Sequence, residues 1–200
     1  VTERLELLPT KYIEALNFAA ELHREQARKG SRVPYLTHLM TVSSYVFEFG
    51  GNLEQAIAGL LHDSIEDQGS KTSFQEIETR FGKQVCEIVR ACTDSETEPK
   101  PPWLERKTQY LAGLRDKSNT IKLVVACDKL HNAECIVRDL RIHGLETMAR
   151  FQAPAEQTLW YYQSIVDTLQ DLPSPIVQIL DQKVQEMAFM IESQPATRKG

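Results

Sequence analysis

The segment Leu60-Leu61-His62-Asp63-Ser64-Ile65-Glu66-Asp67 carries four side chains able to bind a metal or move a proton. Along a helix, at about 100° per residue, His62, Asp63, Glu66 and Asp67 fall within a wedge of about 140°. One imidazole and three carboxylates turned the same way suit a divalent cation or general acid–base work. The acids come at the C-terminal end of the expected helix, where the dipole disfavours negative charge and a nearby cation would offset it. The spacing alone also fits a solvated acidic end of an amphipathic helix.

Two further segments add to this set. In Val124-Val125-Ala126-Cys127-Asp128-Lys129-Leu130-His131-Asn132, Asp128 ends a strongly apolar run and is expected to be buried. A carboxylate there needs a metal, a basic partner or a raised pKa. Asn132 follows one turn later on the same face. In Pro34-Tyr35-Leu36-Thr37-His38-Leu39, His38 stands near a helix start, where a hydrogen-bonding role is as natural as a ligand role. Together the segments offer two imidazoles and two carboxylates, His38, His62, Asp63 and Asp128, a set suited to Mn²⁺, Fe²⁺, Co²⁺, Ni²⁺ or Zn²⁺. His23, His131 and His143 lie on separate helices or helix ends and are expected at the surface or the core edge. The 4 cysteines show no metal-type Cys-x-x-Cys spacing and read as buried free thiols of a reducing cytosol.

The helical period dominates the elements that must position these groups. Helices are expected over residues 11–28, 37–49, 52–67, 83–93, 103–116, 120–139, 154–170 and 175–191, with a short one ending at Gly82. Asn52 with Gln55, and Thr72 with Gln75, have the spacing of capping boxes. Residues 30–35 form a loop in which Pro34 biases Val33 to extended backbone. Residues 144–154 give no clear pattern. Arg24 and Arg28, one turn apart on the first helix, can share a face. The run Leu159-Trp160-Tyr161-Tyr162 reads as core packing rather than a binding platform.

A chain of 200 residues with 42% hydrophobic residues suits one domain with a sizeable core. The fold class is all-α, a single bundle of roughly eight to ten helices by periodicity. A formal net charge of -5 argues against a general nucleic-acid binder, although a local basic patch can still hold a polyanionic small molecule. No segment is apolar for long enough to cross a bilayer. The first residues do not read as a secretion signal, so the expected location is cytoplasmic. Oligomeric state leaves no trace in the sequence.

The order His, His-Asp, Asp resembles the signature of the HD phosphohydrolase superfamily. Ala27-Arg28-Lys29-Gly30, Val33-Pro34-Tyr35-Leu36-Thr37-His38, the 60–67 segment and Asp128-Lys129-Leu130-His131-Asn132 are similar to the hydrolase domain of RelA/SpoT-type alarmone enzymes. The likeness runs over about residues 10–170 and leaves no room for a synthetase domain, as in the stand-alone small alarmone hydrolases. It implies an HD-type hydrolase domain over residues 1–194, with 195–200 a disordered tail. It implies one Mn²⁺ held by His38, His62, Asp63 and Asp128. Glu66 and Asp67 would activate and orient the attacking water. Arg28 and Lys29 would hold the purine nucleotide, and Asn132 would contact its sugar region.

Tyr35, Lys129 and Arg24 are further substrate-side candidates. Arg106 and Lys107, in Trp103-Leu104-Glu105-Arg106-Lys107-Thr108-Gln109-Tyr110, are candidates for the phosphates or equally a solvated helix face. The implied reaction removes the 3′-pyrophosphate of a purine alarmone, (p)ppGpp or (p)ppApp. Leu39 stands where the family usually has Pro, Lys129 where the long enzymes have Arg, and Glu134 and Cys135 where Arg and Thr are common. The last two changes leave guanine and adenine both open. Another HD-type nucleotide phosphohydrolase and a catalytically silent nucleotide-binding module are the competing readings.

Overall fold

The computed structural model describes residues 8–95 and 99–193; the tail expected at 195–200 lies outside the described residues. Apart from a β-bridge between Ala27 and Pro34, the described residues form helices and turns, in line with the all-α expectation. They group into two compact units, one up to Thr93 and one from Asp94 onward. No helix among them is long and apolar enough to cross a membrane.

In the first unit, α1 (Thr10–Leu22) buries Ala15, Ala19 and Leu22, and α2 (Leu36–Glu48) buries His38, Leu39, Val42, Ser43 and Val46. Both spacings follow the helical stripe. The short α3 (Leu53–Leu61) is buried all round from Gln55 to Leu61 and packs against α1 and α2. Its start is the expected capping box: Asn52 accepts from the Gln55 amide, and the Gln55 side chain accepts from the Asn52 amide. Such a cap stabilises a helix start by about 1 kcal/mol. At the α2–α3 crossing, a Cβ on Gly59 would stand 3.1 Å from the Ser43 Cα. The Ser43 hydroxyl there donates to the Ala56 carbonyl at 2.8 Å. This close approach sets the end of α3, and therefore His62, against α2.

Three sequence expectations need correction in this unit. The first helix stops at Leu22 rather than running to residue 28. The chain instead turns back on itself, with Arg28 donating to the Val33 carbonyl and Tyr35 to the Gln26 carbonyl, both at 2.8 Å. Those bonds need extended backbone at Val33, as Pro34 favours. The helix expected over 52–67 is also broken, into α3 and α4 (Ser64–Gln68). His62 Nδ1 takes the Gly59 carbonyl at 2.9 Å, which a continuing helix would use for the Asp63 amide, and Asp63 turns out at ψ 0. Finally, the helix α5 (Phe74–Phe81) is capped by Ser73, not Thr72: the Ser73 hydroxyl accepts from the Glu76 amide. Gly82, at φ 94, joins α5 to α6 (Lys83–Cys92), which also packs on α3.

In the second unit, α7 (Trp103–Arg115) is followed by α8 (Asn119–His143), a 3-10 turn (Gly144–Arg150), α9 (Ala155–Thr168) and α10 (Ile176–Glu192). Residues Lys122 to Asp128 of α8 are buried without a break, and α8 packs on α10, α9 and the 3-10 turn. The buried Lys122 amine reaches Asp171 at 2.7 Å, which satisfies a charge that burial would otherwise penalise. Leu159, Tyr161 and Tyr162 of α9 are buried, as a packing role requires. Trp160 stays 37% exposed beside Trp103.

Candidate active site

His38 enters α2 in its first turn, its amide donating to the Tyr35 carbonyl. His62 closes α3, and both imidazoles are 1% exposed. Their rings meet edge to face with centroids 5.2 Å apart. Oδ2 of Asp63 lies 3.0 Å from His62 Nε2 and 3.7 Å from His38 Nε2, and accepts from the Tyr35 hydroxyl at 2.6 Å. A carbonyl only accepts, so the His62 bond to Gly59 puts the proton on Nδ1. His62 Nε2 is then the ring nitrogen turned to the Asp63 carboxylate, and a cation held by both groups would be stabilised there. Two imidazole nitrogens and one carboxylate are a donor set that fits a borderline divalent ion.

Tyr35 is held by what surrounds it. Burial and the Asp63 carboxylate push its phenol well above the ordinary tyrosine range, with Arg28 pulling weakly the other way. It therefore remains a donor to Asp63 at neutral pH. Its ring stacks on His23 at 5.3 Å, and the Arg28 guanidinium sits 5.5 Å from its centroid. Arg28 thus rides on the clipped loop against Tyr35, while Lys29 is exposed. Arg24 shares no helix face with Arg28, because the first helix has ended; it pairs with Glu21 at the surface, 2.7 Å away.

On α4, Glu66 is half-buried and Asp67 exposed. The break at Asp63 means that a continuous helical wedge does not relate these two to His62. Instead the Asp67 amide donates to the Asp63 carbonyl at 2.9 Å, which ties the acidic turn to Asp63. Gln26 Nε2 donates to Asp67 Oδ2 at 2.7 Å. Gln26 and His23 are the residues that sequence reasoning missed. His23 was expected at the surface or core edge and is 2% exposed. Two partners of Gln26, Asp67 and Gln68, are separated from it by 41 and 42 residues, so only the folded turn shows those pairings.

The second unit holds the remaining candidates. Asp128 is 6% exposed and accepts from Lys129 Nζ at 2.6 Å and from Asn132 Nδ2 at 2.5 Å. Burial opposes the Lys129 charge, but Asp128 and neighbouring tyrosines outweigh it and raise its pKa well above the usual lysine range. Lys129 Nζ lies 5.8 Å from the Tyr110 ring centroid and 5.9 Å from that of Tyr161. Arg106 and Lys107 both turn onto Asp94, at 2.6 and 2.5 Å, in a pocket where the Asp94 side chain is 3% exposed. Burial opposes ionisation of Asp94, yet Lys107 and then Arg106 hold its carboxyl below the ordinary range. Two cations against one anion leave this triad with one net positive charge.

Residues 15–155 match the family model described as HD domain, so this chain belongs to the HD-domain family, whose members imply a divalent metal. Among the curated relatives are proteins that carry the name guanosine-3′,5′-bis(diphosphate) 3′-pyrophosphohydrolase MESH1. The Xenopus tropicalis protein is 41% identical over 132 residues, covering 64% of this chain and 69% of that one. The Drosophila melanogaster protein is 31% identical over 183 residues, covering 90% and 96%. A solved structure described as a metazoan ortholog of SpoT that hydrolyzes ppGpp superposes with a TM-score of 0.75 at 29% identity, over 89% of this chain and 96% of that one.

Proposed function

We propose that this chain is a metal-dependent hydrolase that removes the 3′-pyrophosphate of a purine alarmone, (p)ppGpp or (p)ppApp. The observation that carries the reading is the approach of His38 and His62 to the one Asp63 oxygen that Tyr35 holds. Relatives named for ppGpp 3′-pyrophosphohydrolysis give that centre its reaction. His38, His62 and Asp128 are each buried with a ligand atom to offer, and with Asp63 they would hold the ion, which we take to be Mn²⁺. Such an ion lowers the pKa of a water and offsets phosphoryl charge.

The side chains do the rest. Glu66 accepts the proton of the attacking water, and Asp67 keeps that water in line with the scissile bond. Arg28, Lys29 and Tyr35 receive the purine nucleotide, with the Arg28 plane suited to stacking on the base. Lys129 and Asn132 serve the sugar and phosphate side, and Arg106 and Lys107 contribute the net positive charge of their triad with Asp94. Arg24 adds a solvent-screened charge at the rim. In this reading residues 1–194 act as one hydrolase domain in the cytoplasm.

Asp128→Ala tests the ligand set. Bound manganese and turnover are expected to fall together, by at least about 10-fold. Full metal content with full turnover in that variant would remove Asp128 from the site.

A further inference from the structure

Asp67 is an exposed side chain on a five-residue helix, and a carboxylate in that setting ordinarily samples several rotamers. Orienting a water requires one of them. Gln26 supplies the restraint: its Nε2 donates to Asp67 Oδ2 at 2.7 Å. The opposite end of the same amide is fixed twice. Gln26 Oε1 accepts from Gln68 Nε2 at 2.7 Å and pairs with His23 Nδ1 at 2.7 Å. Gln68 stands one residue beyond Asp67 on the same helix, while His23 is buried with its ring stacked on Tyr35. Two donors on Oε1 leave the amide one orientation, with NH₂ toward Asp67. The backbone of Gln26 is itself held by the Tyr35 amide, which donates to its carbonyl.

We infer that Gln26 is a positioning residue for the hydrolytic reaction, holding Asp67 in the rotamer that orients the attacking water, with His23 and Gln68 fixing the amide. This rests on the assignment of Asp67 in the proposed function. The amide contributes a directed donor and no charge of its own, so its loss misplaces Asp67 without altering the charge of the site. The effect belongs in kcat rather than in substrate binding.

The test is a double-mutant cycle on the full chain loaded with Mn²⁺, with ppGpp, pppGpp, ppApp and a panel of nucleoside 3′-phosphates as substrates. Gln26→Ala is expected to lower kcat about 10- to 100-fold with KM within about threefold. Manganese content and thermal midpoint should stay near wild type. In an Asp67→Ala background the same change should cost nothing further, because the residue acts only through Asp67. Gln26→Met, which keeps the side-chain length, should match Gln26→Ala and guards against a packing defect. Losses that add in the double variant, a loss confined to KM, or an unchanged kcat would overturn the inference. A wild type that turns over only a different nucleotide would sink the alarmone reading while the cycle still decides the role of Gln26. No turnover of any of them by metal-loaded protein would end both.

Discussion

The Tyr35 hydroxyl donates to Asp63 Oδ2 at 2.6 Å, the same oxygen that stands 3.0 Å from His62 Nε2. A phenol in contact with His23 and Arg28 thereby orients the Asp63 carboxylate, and the loop proposed to receive the nucleotide is joined to the proposed metal ligands through one ring. Orientation of a ligand by a hydrogen-bonded neighbour is a general means of tuning metal affinity.

Tyr35→Phe keeps the stack and removes only the donor. Manganese binding is expected to weaken about 10-fold, with turnover at saturating metal reduced much less. Titration of the apoprotein with Mn²⁺, followed by activity at each metal concentration, checks this. Unaltered affinity would show that Asp63 needs no help from the phenol.

The same substitution at two glycines should have opposite signs. At Gly59, a methyl group meets the α2 backbone at 3.1 Å, so Gly59→Ala should destabilise by about 1–3 kcal/mol. It should also weaken metal binding, because α3 carries His62 at its end. Nothing lies within 4 Å of a Cβ at Gly113 in α7, so Gly113→Ala should stabilise by about 0.5–1 kcal/mol through helix propensity. Urea unfolding midpoints of the two variants decide the matter.

Asp94 should make stability depend on pH in a defined window. Its folded-state pKa is below the ordinary value, so its contribution is present above the unfolded value of about 3.9. That contribution is lost as pH falls through the lowered folded-state value. Asp94→Asn leaves Arg106 and Lys107 without their carboxylate and should cost about 3 kcal/mol at neutral pH. The gap between wild type and variant should hold steady down to about pH 5 and shrink below about pH 4. Denaturation curves across that range, with an unchanging gap as the contrary outcome, provide the check.

Much of the site was legible because its chemistry is local in sequence. His62 and Asp63 are adjacent, Asn132 follows Asp128 by one turn and bonds to it, and the Asn52 cap with Gln55 is present as its spacing required. What escaped was the backbone geometry between these pieces. The break at His62 depends on a side chain taking the Gly59 carbonyl, which no periodicity reports. The end of the first helix at Leu22 depends on the pairing of Ala27 with Pro34, a tertiary preference that overrode a helical pattern extending to residue 28. That misplaced turn concealed Gln26 and His23, and it put Arg24 and Arg28 on one face that the folded chain does not have. The partners of Arg106 and Lys107 were equally hidden, since Asp94 stands 12 and 13 residues away across a proline-containing loop.

Incubation of the purified chain with ppGpp and Mn²⁺, with and without chelator, and with the products followed by ³¹P NMR, reports the proposed 3′-pyrophosphohydrolysis itself. Pyrophosphate should be released and GDP formed, in a reaction that stops when the metal is removed and resumes when it is restored. Intact ppGpp after incubation with protein shown to contain its metal would contradict it.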